Sequence, residues 1–532
     1  MLECMRRTST FLSRSLSLLL LVSLSCGTFD SSNEETPPPP PPEDPSKPPE
    51  VIPGQRFQGI FVSSSRGANG IDGADGTEAK PFKTLKEGVL VAQQRGERLF
   101  VCAETFEESL ELLDGVSAYG YLDCATSPWS KSAKRALVIS QSNDPALLAK
   151  DLTKSARLEA FDFVGPDRLK ALVGVISSSY GGIVRNVKDL TLVEVKLVGG
   201  AASNGIDGTP PKANSFTGNP NGQPPVQQTT CTGLSCSVTV GAVPGGAPGS
   251  ITCAAGASNP GGAGGDGIIL NQFGNKTGTH EPHGRPLVGN AQTAAGGSSK
   301  EGVAQNPPPG IGGALGANGA HGSNGVWSFT RDGFEPGNGT DGKPGATGQG
   351  GGGGGAGTCW YDTSSCDQSA VDKTGWKTAR GGGGGAGGCG GLPGTAGKGG
   401  GASIGLFVVD STVKLERVHL TGGPAGAAGK GNLGGPGLLG GTGGSYGVIL
   451  NPELTAPWGG KGGDGGIGGT AGASGHGAPG PSIGLVYTGT RPSITDSTIV
   501  GGQAGAGAPQ LLYGANVVIP AVNGESIAEH AF

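Results

Sequence analysis

Between Gly459 and Gly472 the chain reads GGKGGDGGIGGTAG, with glycine at every third position and often a second glycine beside it. The same register holds over 310–325, 382–400, 431–443 and 460–475. Four blocks in step are not an accident of composition, even in a chain with 108 glycines among 532 residues. A period of three is neither the 3.6 of an α-helix nor the 2 of a strand. It belongs to a left-handed extended helix whose backbone groups make no internal hydrogen bonds and point sideways. Such a helix must bond to neighbours, and it can approach them only through faces without side chains. One glycine per turn gives one such face; Gly-Gly-X gives two. Collagen obeys the same steric rule with three chains and proline-rich X and Y positions. Here proline is sparse within the blocks, which points to a bundle of polyglycine-II helices within one chain. The opposing reading is a flexible glycine linker.

Energetics restrict the ordered reading. Fixing backbone costs about 1–2 kcal/mol per residue, and a net hydrogen bond returns about 1 kcal/mol. A lone helix of this kind would melt, whereas a bundle grown from a rigid support and tied by disulfides would persist. Blocks of about 16–20 residues would make rods of roughly 50–60 Å. Trp327, Trp360, Trp376 and Trp458 flank the blocks and are expected as apolar caps, and 424–481 reads as one out-and-back hairpin of two rods.

The N-terminus has a different character. Arg6, Arg7 and Arg14 precede LSLLLLVSLSC, an apolar run too short to span a bilayer, and 1–26 reads as a secretion signal. The acidic, proline-rich segment 27–54 reads as an extended spacer. The end of the signal resembles the lipobox of bacterial lipoproteins, which implies acylation of Cys26. Ser23 departs from that pattern where leucine is preferred, so plain secretion stays as the alternative. The expected location is the cell envelope, at the outer membrane or cell surface, with the membrane reached through the lipid. A net charge of −5 and the lack of a basic patch with aromatics exclude nucleic acid as an expected partner.

Of ten cysteines, eight lie beyond the signal: Cys102, Cys124, Cys231, Cys236, Cys253, Cys359, Cys366 and Cys389. In an exported protein this even number suggests disulfides. Zinc is the rival, but the spacings lack tight CxxC pairs.

Residues 55–200 carry short β-type runs (GIFVS, RLFVCAE, VSAYGYLDC, RALVISQS, ALVGVISSS and LTLVEVKLV) at intervals of about 20 residues, typical of stacked coils. One helix is expected at TLKEGVLVAQQRG, with Leu85, Val89, Leu90 and Val91 on its apolar face. The segment GIFVSSSRGANGIDGADGTEAKPFKTLKEGVLVA followed by RLFVCAETFEESLELLDGVSAYGYLDC resembles the opening of secreted right-handed parallel β-helix proteins of the pectin-lyase-like superfamily. More narrowly it resembles the DUF1565-type entry segment. The motifs that carry the likeness are Asp75–Thr77, Pro81–Leu85, Thr105–Ser109 and Gly115–Gly120. The glycine blocks are similar to PGRS-type insertions. The resemblance implies an all-β solenoid with a short capping helix. It also implies that Cys102 and Cys124, about one coil apart, would sit on adjacent rungs and be bridged. LVEVKLVGG, LERVHLTGG and ITDSTIVGG share one pattern, and the last two follow the tetrad SIGL. They read as later rungs at 402–423 and 482–502, with the insertions 201–401 and 424–481 leaving one corner and 503–532 as a tail.

Superfamily members include carbohydrate lyases and hydrolases, so catalysis needs weighing. Gly475-His476-Gly477 matches the Gly-His-Gly of polygalacturonases but lies inside a glycine block, and coincidence is the reading. Lys170, Arg185, Lys188 and Asp189 near a rung read as surface charge. His280, Glu281 and His283 read as a polar loop before a metal site, and Asp72 and Asp75 as a tight entry turn before a calcium loop. No catalytic residue, cofactor or metal is assigned. The expectation is a non-enzymatic structural or adhesive surface lipoprotein that binds polysaccharide or another surface polymer. The alternatives are a carbohydrate-active enzyme and an ice-binding protein, the latter from the likeness of Gly-Gly-X bundles to polyglycine-II antifreeze proteins.

Overall fold

Three long parallel sheets organise the chain in a computed structural model. It describes residues 57–125, 127–169, 174–226, 229–232, 235–238, 241–269, 283–286, 293–297, 307–357, 379–447 and 458–532, with Lys47 and Pro49. All of these belong to the unit Pro45–Phe532. The signal, Cys26 and the spacer apart from Lys47 and Pro49 lie outside the described residues.

The first sheet is eight-stranded. It stacks Ile60–Val62, Leu99–Cys102, Ala118–Asp123, Ala156–Glu159, Leu190–Val193, Val413–Glu416 and Ser493–Thr495, with Ser130–Lys131 pairing antiparallel to one side. The second, six-stranded, stacks Thr105–Phe106, Ala136–Ile139, Phe161–Val164, Lys196–Val198, His419–Thr421 and Thr498–Val500. The third, also six-stranded, stacks Leu110–Leu112, Leu147–Lys150, Ser179–Arg185, Ser403–Val409, Ser482–Thr488 and Ser526–Ala531. The chain therefore visits the first, second and third sheets in turn, and each circuit lies in register on the one before. Alternate side chains point inward, so Leu190, Leu192, Leu197, Leu406 and Leu415 share one core with no exposed surface.

Between circuits the backbone turns through left-handed residues at equivalent places. Asp151, Asn186 and Asp410 have φ of 54°, 54° and 46° between the third and first sheets. Ala160, Glu194, Arg417 and Asp496 have φ of 61°, 53°, 55° and 48° between the first and second. Asp151, Asn186 and Asp410 each donate their N–H to a carbonyl of the following circuit, at Arg185, Val409 and Thr488. That hydrogen bond helps hold a conformation costly for a residue with a β-carbon.

The helix forms over Leu85–Arg95, with Thr84 accepting from Glu87 N–H and Gly96 ending it in a left-handed turn. Glu108 accepts from the N–H of Leu85 and of Lys86, so two motifs distant in sequence meet at the helix start. The buried face is Leu85, Gly88, Val89 and Ala92, not the expected Leu90, which is 48% exposed. Gly88 is required because a β-carbon there would lie 2.3 Å from Val62. A second expectation also changes. Residues 174–178 of ALVGVISSS are not a strand; the strand opens at Ser179 and reads SYGGIVR. Its Gly181 passes so close to the next circuit that a β-carbon would lie 2.6 Å from the Gly405 carbonyl.

All three glycine excursions, 199–402, 422–481 and 501–525, leave after the second sheet and return into the third. The last of them carries a hairpin, Leu511–Tyr513 with Asn516–Ile519, before the final strand. Another antiparallel hairpin, Ser328–Thr330 with Gly333–Glu335, folds back onto the outer face of the third sheet. Trp327, Phe329 and Phe334 pack there against Phe407, and Phe334 N–H donates to the Tyr180 hydroxyl at 3.1 Å.

Candidate functional site

The glycine tracts carry one repeated backbone chemistry. Tract 458–481 is surrounded by tracts 307–325, 337–357, 379–402 and 424–447. Gly466, Gly469 and Gly472 donate to the carbonyls of Gln349, Ala346 and Lys343 at 2.8, 2.8 and 2.9 Å. Gly385, Gly388 and Gly391 donate to Gly463, Gly466 and Gly469 at 2.9, 2.8 and 2.8 Å. Gly465 and Gly468 donate to Gly441 and Leu438, and Gly313, Gly316 and Gly319 donate to Asp464, Ile467 and Thr470. Every ladder advances by three residues. Partner numbers rise together with 307–325 and 379–402, and run oppositely with 337–357 and 424–447, so parallel and antiparallel contacts mix freely.

The reason for glycine here is proximity. A β-carbon on Gly466 would lie 1.9 Å from the Ala314 carbonyl oxygen, and one on Gly469 would lie 2.0 Å from that of Ala317. Among the described residues, no glycine of these tracts takes a left-handed φ. Conformational freedom is therefore not what the tracts use.

At several positions where a backbone N–H has no neighbouring tract, a side chain closes it. Asn318 Oδ1, His321 Nδ1 and Asn324 Oδ1 accept from Thr470, Ala473 and His476 at 2.9, 3.0 and 2.9 Å. On another flank Asn204, Asp207 and Asn221 accept from Ala427, Lys430 and Thr442. Sequence reasoning missed these residues. Their signal was present as polar acceptors repeating at the same period of three in ANGAHGSNG.

Buried serines pin each excursion to the sheets. Ser179 donates to the Pro166 carbonyl and accepts from Gly200 N–H. Ser403 donates to Gly200 and accepts from Gly423, and Ser482 donates to Gly423 and accepts from Gly502. The Gly-Gly ends and the Ser-Ile-Gly-Leu starts found in the sequence are thus two halves of one joint.

The sequence candidates are distributed as follows. Cys102 and Cys124 are bridged, joining two adjacent strands of the first sheet. Cys253 is bridged to Cys389, which ties the antiparallel pair Phe216–Asn219 with Ser250–Cys253 to tract 379–402. Cys231 and Cys236 face each other as backbone partners in an antiparallel pair, and their side chains, with Cys359 and Cys366, lie outside the described residues. His476 is fully buried among the tracts, with Nδ1 accepting from Gly431 N–H at 3.0 Å. Burial holds its imidazole below the ordinary histidine range. Asp75 accepts from the hydroxyl and N–H of Thr77, bonds that hold its carboxyl low and close the entry turn. Lys170, His280 and Glu281 lie outside the described residues.

The first sheet and its strand ends carry acids and bases, and six of them form three ion pairs. Arg157 meets Glu159 at 2.9 Å, Lys414 meets Asp189 at 2.9 Å and Arg417 meets Glu194 at 3.1 Å. Burial would raise the Asp189 carboxyl, but hydrogen bonds from Lys414 and Ser155 outweigh it and hold it low. Arg185 lies 3.8 Å from Asp332, and no shared site forms with Asp189. Among the described residues no group of three or more His, Cys, Asp or Glu is placed to hold a metal ion. No helix there is long and apolar enough to cross a membrane.

The fold defines an all-β protein of long stacked parallel sheets with very little helix. Compared with protein-family models, curated proteins and solved structures, the chain matches none of them.

Proposed function

We propose that this chain is a non-enzymatic structural or adhesive module of the cell surface. In this reading the stacked sheets are a right-handed parallel β-helix, the hand that parallel crossovers take almost without exception. The excursions are polyglycine-II helices, each of the last three circuits being drawn out at one corner into rods. The observation that carries the reading is the set of backbone ladders advancing by three residues on four sides of tract 458–481. Such a bundle is rigid, and its outward side chains repeat at about 9 Å intervals. Lys430, Leu433, Pro436, Leu439 and Thr442 form one such row, a spacing suited to a repetitive polymer such as polysaccharide.

A lipid on Cys26 and the proline-rich spacer would hold this module away from an envelope membrane. The spacer's end meets the body: the Lys47 carbonyl accepts from the Tyr119 hydroxyl at 3.0 Å and from Arg98 at 3.2 Å. Co-sedimentation with insoluble polysaccharides tests the binding role. Retention on at least one polymer, reduced by substituting the Lys430–Thr442 row, is expected; no retention on any polymer contradicts it.

The competing reading, a carbohydrate-active enzyme, draws on the charges of the first sheet, with Arg157, Glu159 and Asp189 as its best candidates. Arg157 is paired with Glu159 and Asp189 with Lys414, which argues for structural ion pairs. Release of new reducing ends or unsaturated products from polyuronates would restore that reading.

A further inference from the structure

We propose that the aromatic outer face of the first three strands of the first sheet is a docking site for this chain's own proline-rich segment 45–53, held there by its backbone carbonyls. In the register of Ile60–Val62, Leu99–Cys102 and Ala118–Asp123, Phe61 lies beside Phe100 and Phe100 beside Tyr119. Their neighbours in sequence, Ile60, Val62, Leu99 and Ala118, fill the inner core, so these rings point outward. The rings stack at 5.6 Å in both pairs, and Tyr121 and Trp129 widen the patch. The row continues as Glu159, Val193, Glu416 and Thr495, so its aromatic character stops after three strands. Phe100 and Tyr119 face outward yet have no exposed surface.

One residue of the segment is already seated on this face. The Lys47 carbonyl accepts from the Tyr119 hydroxyl at 3.0 Å and from the Arg98 guanidinium at 3.2 Å, and Pro49 is half-buried. Burial pushes the Tyr119 hydroxyl up to about 12, which keeps it a donor at any ordinary pH. Residues 45–53 read PSKPPEVIP, and the four prolines carry no N–H and offer only carbonyls. A face with hydroxyl and guanidinium donors among aromatic rings is the complement of such a segment, and aromatic-lined grooves take proline-rich chains in this way. Charge agrees. Glu43, Asp44 and Glu50 outnumber Lys47, while Arg98, Lys131 over the Tyr121 ring and Arg66 over the Trp129 ring edge the patch.

The occupant is the same chain, not another copy. Phe57 lies ten residues after Lys47 and packs on Phe100 at 5.0 Å and Tyr121 at 6.5 Å. Ten residues reach about 35 Å at full extension, and the two attachment points are neighbouring rings. A tether this short keeps the segment at the face at about millimolar effective concentration. The tracts leave elsewhere, since all three excursions depart after the second sheet and return into the third. The last stretch of the spacer is therefore a strap, and the chain arriving along it enters the body away from the tract corner.

The test is cleavage of the full chain by a glutamate-specific protease, with rates at Glu34, Glu35 and Glu50 each divided into those of the isolated peptide 27–56. Docking predicts protection of about tenfold or more at Glu50 and no protection at Glu34 or Glu35, whatever the protein concentration. Tyr119→Phe keeps the ring, removes one donor and is expected to lower the Glu50 protection about fivefold. Pro48→Gly combined with Pro49→Gly changes the segment alone, leaves the core of the body untouched and is expected to abolish the protection. No protection in the wild type, or protection unchanged in either variant, would overturn the proposal. So would protection that appears only as the chain dimerises in sedimentation, which would give the face to a second copy.

Discussion

The Ser403 hydroxyl and the Gly423 N–H, 2.8 Å apart, join the start of one returning strand to the departure of the next excursion. Ser403 is fully buried, and its hydroxyl also donates to the Gly200 carbonyl at 2.7 Å. Ser482 repeats the arrangement one circuit later with Gly423 and Gly502. The sheets and the tracts therefore share one buried polar joint, used again at each level.

Removing that joint leaves a buried donor and a buried acceptor without partners. Ser403→Ala is expected to destabilise the protein by about 1–3 kcal/mol in denaturant unfolding. Ser155→Ala, whose hydroxyl donates to Asp189 at an exposed site, should change stability by less than about 0.5 kcal/mol. Equal effects would show that the joint carries no special weight.

Two glycines separate crowding from composition. Gly469→Ala drives a methyl to 2.0 Å from a backbone carbonyl and is expected to cost more than about 3 kcal/mol, at the severe end for one substitution. Gly312→Ala, with only the Asp464 carbonyl near at 3.6 Å, should stay within about 0.5 kcal/mol. Thermal unfolding of the pair measures both.

His476 makes the bundle sensitive to acid. Burial holds its imidazole low; Pro509 and Asp207 pull the other way, and Lys430 adds to the lowering. The neutral ring is thus favoured in the folded state. Its stability contribution is whole above the unfolded histidine value of about 6.5 and is lost as pH falls from there through the folded value. Protonation also turns Nδ1 from acceptor into donor against Gly431 N–H. Unfolding free energy measured between neutral and mildly acidic pH should fall in wild type and fall less in His476→Asn.

The Cys253–Cys389 bridge spans 136 residues and fastens the strand Ser250–Cys253 to tract 379–402. Cys253→Ala is expected to cost about 2–4 kcal/mol. It should also open 215–265 to limited proteolysis before the sheets are attacked. Non-reducing peptide mapping checks both bridges, Cys253–Cys389 and Cys102–Cys124.

What could be read in advance follows from the physics. The three-residue period is a steric code, so the tracts and their common corner were visible in the sequence. The helix was visible through apolar residues such as Leu85 and Val89, and Thr84 and Gly96 cap it. The turns at Ala160, Glu194 and Arg417 were not, since a left-handed conformation is imposed there by the stacked circuits on residues that do not favour it, whereas Asp151, Asn186 and Asp410 are residue types suited to such turns. The strand at 179–185 was missed because its two glycines, needed for close approach to Gly405 and Leu197, mimic a loop. It carries the same opening serine as Ser403 and Ser482. Pairing of Cys253 with Cys389 depends on which tracts become neighbours, and a period cannot supply that.

The central claim is that the glycine tracts are bonded to one another through their backbones. Residue-resolved amide hydrogen exchange across 458–481 tests it most directly. Slow exchange is predicted at Gly466, Gly469 and Gly472, with fast exchange at Asp464, whose N–H meets no acceptor among the described residues. Uniform exchange at the rate of an unstructured chain would contradict it.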